Sequence, residues 1–220
     1  MNLTNTRKRL RAWIDLLTAD HKAQGRLWYT EAFAFASEVS VTYNIPLKRV
    51  VGVLACLSVQ NRWEVNKRDT ENLISAFHDG EDLADVSIAT YHGQRMKAED
   101  ILRASADADI YAMIGTKYAP KTRSFYDNIL RPGDSIRVTI DRWILRGLNL
   151  EQYTGGGNRY IALYRDLEEL FRQEALRIDM RPCALQAALW ICIQQVADAE
   201  QWEGSRPTHK APVADEEVPF

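Results

Sequence analysis

One carboxylate and one amine in this sequence have the types and surroundings for chemistry. Asp141 stands where the extended, β-branched run Val138 to Ile140 gives way to the helical pattern Arg142-Trp-Ile-Leu-Arg146. An Asp at a helix start caps orphan N–H groups and feels the positive end of the helix dipole, which favours its ionised form. Lys121, in Pro120-Lys121-Thr122, lies upstream and offers an amine nucleophile. Between Gly115 and Gly147, Lys117, Lys121, Arg123, Arg131, Arg137, Arg142 and Arg146 outnumber Asp127, Asp134 and Asp141. A carboxylate, an amine and a basic face suit chemistry at a sugar–base bond beside phosphates. The same residues also suit a capped helix with a solvated mixed surface.

The elements that must position these groups read as helices almost throughout. Apolar residues recur at helical spacing from Arg7 to Ala19, Leu27 to Tyr43, Leu47 to Ser58 and Asn66 to Phe77. Further helices are expected over Leu83 to Ser87, Gln94 to Ser105, Ala108 to Met113, Thr122 to Leu130 and Arg142 to Leu148. Two long ones follow, Arg159 to Leu176 and Pro182 to Ala199. The one strand signal, Ile136 to Ile140, is too short for a sheet, so the fold class is all-α. Residues 201–220, charged and Pro-containing, are expected to be a disordered tail.

Composition narrows the function class. The 220 residues are 46% hydrophobic and 26% charged with a net charge of −2, ordinary values for a globular domain. No run approaches the roughly 18 apolar residues of a membrane span. The basic N-terminus, Met1 to Arg11, lacks the apolar core of a signal peptide, so the expected location is cytoplasmic. Cys56, Cys183 and Cys192 have no C-x-x-C spacing and apolar neighbours, which points to buried free thiols. His21, His78, His92 and His209 are scattered, so neither a metal site nor a cofactor is expected. Gly155 to Gly157 is not followed by the Lys-Ser/Thr of a phosphate loop.

Three ordered segments carry a family likeness. Val53-Leu-Ala-Cys-Leu-Ser-Val-Gln60 with Val65-Asn66-Lys67 resembles an "LLSxQ…VNK" helix end and loop. Lys97-Ala-Glu-Asp-Ile-Leu102 is similar to a "KAxxI" helix. Ile114-Gly115…Lys121-Thr122…Ile140-Asp141-Arg-Trp-Ile-Leu-Arg146 looks like a hairpin, lysine and "VDTHIxR" segment. Together they resemble the endonuclease III-like DNA glycosylases of the helix-hairpin-helix (HhH-GPD) superfamily, over most of residues 50–146.

The resemblance implies a two-lobed helical bundle that flips a nucleotide out of a duplex into a cleft. It implies one lobe over residues 27–130, ending in the hairpin, and a second combining 1–26 with 131–200. Asp141 would stabilise positive charge on the sugar as the base leaves, and Lys121 would attack the sugar carbon and form a Schiff base. Gln60 would fill space beside the displaced base, with Asn61, Arg62 and Trp63 at the cleft edge. Trp63 would then stack on a base or, alternatively, pack in the core. Gly115, Lys117, Tyr118, Arg123, Arg142 and Arg146 would hold DNA. Tyr118, Phe125 and Tyr126 are candidates to line the cleft, with Phe125 also at core spacing, while Gln186 and Trp190 tie the last helix to the bundle. The expected partner is duplex DNA with a damaged or modified base, and the expected state is a monomer.

The departures from the family pattern are specific. The hairpin Gly115-Thr-Lys-Tyr-Ala-Pro-Lys121 is longer and has one glycine fewer, and Pro120 removes an N–H where phosphate-binding amides are expected. Lys117 therefore competes with Lys121 for the lysine role. Arg142-Trp143 replaces Thr-His, and the four-cysteine iron–sulfur loop of many relatives is absent. The alternative to a base-excision enzyme is a DNA-binding module that kept the fold and lost the chemistry. A protein-binding helical domain is the third class.

Overall fold

The computed structural model describes residues 3–116, 118–153 and 157–199. Lys117, Gly155, Gly156 and the expected tail 201–220 lie outside the described residues. The described residues are all-α, with ten α-helices and two short 3-10 turns and no strand among them. No helix among them is long and apolar enough to cross a membrane.

The helices are α1 (Leu3–Asp15), α2 (Ala19–Thr42), α3 (Leu47–Leu57), α4 (Trp63–Asp79), α5 (His92–Arg103), α6 (Ile110–Ile114), α7 (Pro120–Leu130), α8 (Arg142–Gly147), α9 (Gly157–Arg177) and α10 (Pro182–Ala199). The chain divides into two compact units, Met1–Tyr29 with Ile136–Phe220, and Thr30–Ser135. These boundaries differ from the expected 26/27 and 130/131 for local reasons. The Tyr29 hydroxyl hydrogen-bonds Thr139 and Gln186, holding Tyr29 in the first unit. Ser135 donates to Asn128 at 2.6 Å, holding 131–135 in the second.

The second unit is built around α3. Every side chain from Val50 to Leu57 is buried, because α4, α5, α6 and α7 all pack on this one helix. A helix apolar all round has no solvent face to spare, so it must occupy the middle of its unit. Asn66 on α4 is buried too, and its amide donates to the Leu54 carbonyl at 3.2 Å.

The first unit joins α1, α8, α9 and α10 around Trp13, Tyr164, Phe171 and the aliphatic side chains of α10. The Trp13 indole donates to the Gly147 carbonyl at 2.8 Å, fixing α1 to the end of α8. Gly25 on α2 leaves no room for a side chain, since an added Cβ would lie 2.6 Å from the Ala184 carbonyl oxygen. Backbones of α2 and α10 therefore meet directly.

The expected strand Ile136 to Ile140 is an extended segment without a strand partner. Val138, Thr139 and Ile140 are buried, so their backbone groups need partners. Side chains supply them. The Val138 N–H donates to the Glu168 carboxylate at 3.1 Å and the Ile140 N–H to the Tyr164 hydroxyl at 3.0 Å. The same hydroxyl donates to the Val138 carbonyl at 2.7 Å.

Candidate functional site

In the second unit, the end of α3 is where polar side chains gather on an apolar helix. Ser58 caps α3, and Lys121 from the first turn of α7 donates to its hydroxyl at 2.9 Å and to its carbonyl at 3.4 Å. The carbonyl end of a helix carries partial negative charge and attracts a cation. The Lys121 ammonium also lies 5.3 Å from the centre of the Phe125 ring, within reach of a cation–π attraction.

Pro120 occupies the start of α7, where the N–H it lacks would have no helical partner. Gly115 ends α6 in extended backbone, and an added Cβ there would come within 2.6 Å of the Ala119 Cβ. The glycine thus lets a tight turn close, in which the Ala119 N–H bonds the Thr116 carbonyl. Tyr118 is exposed on this turn.

The loop after Ser58 is anchored rather than loose. Thr90 donates to the Val59 carbonyl at 2.9 Å. Asp69, wholly buried, accepts from Asn61 at 3.3 Å, from the Ala89 N–H at 2.7 Å and from Arg68. The Asn61 amide thus ties the loop to α4. Gln60 is exposed, with a left-handed φ of 57°, and Arg62 is exposed at the N-cap of α4.

Trp63 falls between its two expected positions. Half-buried, it meets Phe35 and Phe125 edge to face, each 6.4 Å away between ring centres. Phe125 and Tyr126 are buried. The Arg123 guanidinium stacks 3.9 Å from the Tyr111 ring centre, and its Nε is buried without a hydrogen-bond partner among the described residues. Burial pushes the Cys56 thiol up to about 12 against the opposing pull of Lys97 and Lys121, so this cysteine is inert at neutral pH.

In the first unit, Asp141 is the N-cap of α8. Its Oδ1 accepts from the Ile144 N–H at 2.9 Å, and the residue is half-exposed. Burial and the Asp141 charge together push the Tyr160 phenol up to about 12. Arg142 is exposed, whereas Arg146 pairs with Glu151 and lies 5.5 Å from the Trp143 ring centre. With its amide oxygen turned to them, Gln194 accepts from the Trp143 and Trp190 indoles at 3.2 and 3.3 Å. Gln186 and Trp190 do bind α10 to its unit, through Tyr29 and through Trp28.

The structure thus gathers Gln60, Trp63, Phe125 and Lys121 around the end of α3, and Asp141, Arg142 and Arg146 around α8. Sequence reasoning missed Ser58 as the partner of Lys121, although it stood inside the Leu57-Ser-Val-Gln60 fragment. It also missed Phe35 and Lys67. The only signal for Phe35 was helical spacing, which reads as core. Among the described residues, no three His, Cys, Asp or Glu side chains are grouped to hold a metal ion.

No curated protein and no solved structure matches the chain. A family model described as a family of unknown function (DUF7178) matches residues 2–197. That match spans nearly all of the described structure, and the chain belongs to the DUF7178 family.

Proposed function

We propose that this protein is a DNA base-excision enzyme of helix-hairpin-helix type, acting on a flipped nucleotide. The observation that carries this reading is the placement of Lys121. Its amine is held at the end of α3 by Ser58 and lies over the Phe125 ring, against which the half-exposed Trp63 packs. An amine fixed by hydrogen bonds next to an aromatic edge suits attack on a sugar whose base is being displaced. In that step the Lys121 nitrogen bonds to the sugar C1′ and loses a proton. The C1′–N bond breaks, and the departing base takes the electron pair and a proton. The family resemblance assigns the developing positive charge to Asp141, which is half-exposed at the start of α8 in the other unit.

Incubation with duplexes carrying deaminated, oxidised or alkylated bases tests the reading. The expected result is free base, with a borohydride-trapped protein–DNA adduct that Lys121→Met abolishes. No product on any duplex, or full activity in Asp141→Asn, would overturn it.

The hydrogen bonds already made by both groups favour a second reading, a DNA-binding module without chemistry. Asp141 is engaged with Ile144 and Lys121 with Ser58. A gel shift that survives Asp141→Asn, with no base released, selects this alternative.

A further inference from the structure

The second unit carries a row of aromatic rings flanked by two lysines, and the base-excision reading leaves Phe35 and Lys67 unused. Phe35 from α2, Trp63 from α4 and Phe125 from α7 follow one another edge to face at 6.4 Å spacing. Lys67 lies 6.0 Å from the Phe35 ring centre and 5.6 Å from that of Trp63. Lys121 lies 5.3 Å from the Phe125 ring centre. Phe35 and Trp63 are half-exposed, while Phe125, packed against Trp63, is buried.

We infer that this row is a binding site for an unpaired stretch of DNA, with a base stacked at Trp63 and flanking phosphates on Lys67 and Lys121. Sites for single strands combine aromatic faces with cations that follow the backbone, because every base has a π-face and every link a charge. Both parts are present here. The two edge-to-face neighbours fix the tilt of the indole, so stacking on it orders little that is not already ordered. Lys67 is paired with Glu64 at 2.8 Å, but the Glu64 side chain is 78% exposed, and a phosphate displaces such a partner at small cost.

The surroundings add to the attraction for an anion. Arg62, Lys67, Arg68 and Lys121 stand against Glu64 and the buried Asp69. The 17-residue helix α4 begins at Trp63 with no side chain capping its N-terminus, which leaves backbone N–H groups directed at the same loop. Trp63 takes a base only out of the stack, which costs a duplex the energy of flipping and an unpaired strand nothing comparable, so the row favours unpaired over paired DNA.

This inference rests on the DNA reading and names the form of DNA that the site takes. The test uses the full chain and a fluorescein-labelled twelve-residue oligothymidylate, read by anisotropy, with the same strand in a duplex as the comparison. The expected result is tighter binding to the single strand. Trp63→Leu, which keeps an apolar filler, weakens it about tenfold. Lys67→Ala, which removes the partner of the exposed Glu64, weakens it several-fold and lowers the salt slope by about one.

Equal or tighter binding of the duplex overturns the inference, as does unchanged affinity in Lys67→Ala with its helical signal intact. Base release from a duplex together with unchanged single-strand affinity in both variants overturns this inference and leaves base excision standing. Variant-sensitive binding of the oligonucleotide without base release sustains it and removes base excision.

Discussion

The two units position their chemistry-bearing residue by opposite means. In the second, helix α3, apolar and buried from Val50 to Leu57, supplies rigidity, and Lys121 is attached at its end through Ser58 at a half-exposed edge. In the first, Asp141 follows directly on a buried extended segment whose backbone is satisfied by the side chains of Glu168 and Tyr164. Apolar packing is non-directional and tolerates change at its rim. A buried polar network is worth its full value only when every member is present. The lysine should therefore be mutable without structural damage, whereas the support beneath the aspartate should not.

The sharpest break of that contrast is Glu168→Ala. It strands the buried Val138 N–H and leaves Arg137 and Arg172 without their shared carboxylate. Urea denaturation should register a loss of about 3 kcal/mol. Lys121→Met, by comparison, should cost less than about 1 kcal/mol, because its hydrogen bonds are half-exposed. Equal losses in the two variants would erase the distinction between the units.

Acid should act on both units, each through a buried carboxylate. Burial works against the charge on Glu174, and hydrogen bonds from Arg11 and Arg177 outweigh it, holding the carboxyl below its usual range. Glu99 is depressed in the same way, with Arg95 and Arg103 overcoming burial. A depressed folded pKa contributes stability that is present above the unfolded value, here 4.5, and is lost as pH falls below it. Urea midpoints should hold steady from pH 7 to about 5 and drop below about 4.5. Glu99→Gln should flatten the acid limb only in part, because Glu174 retains its own. Complete flattening would mean that the first unit contributes nothing to acid sensitivity.

The smallest structural effect is expected at Asp141→Asn. Asn caps a helix about as well as Asp, so stability should change by less than about 0.5 kcal/mol. The Tyr160 phenol, about 12 in the folded protein, should titrate lower in the variant by ultraviolet absorbance, because the neighbouring negative charge is gone while burial remains. A large stability loss would make Asp141 a structural member of its unit rather than a residue carried by it.

How much was legible beforehand follows the range of each interaction. Helix α10 matches its expected span, Pro182 to Ala199, and α3 falls one residue short of its expected end at Ser58. Continuous apolar composition marks both. The start of α2 was missed by eight residues, since Ala19 to Arg26 carries no apolar periodicity. Its cap was nonetheless present in the sequence: the Thr18 hydroxyl accepts from the His21 N–H at 3.1 Å. The stacking of Arg123 on Tyr111 was not legible, because charge alone does not reveal a tyrosine twelve residues away beneath its guanidinium.

By itself, the sequence determined the helical class, most of the helices and the capping role of Asp141. Each of these depends on residues within a turn or two of one another, where spacing dictates contact. Only the tertiary structure decided that Lys121 would meet Ser58 across 63 residues, and that Glu168 would serve the backbone of Val138 across 30. Those pairings exist because packing brings distant helices together and sets beside one another polar groups that are far apart in the chain.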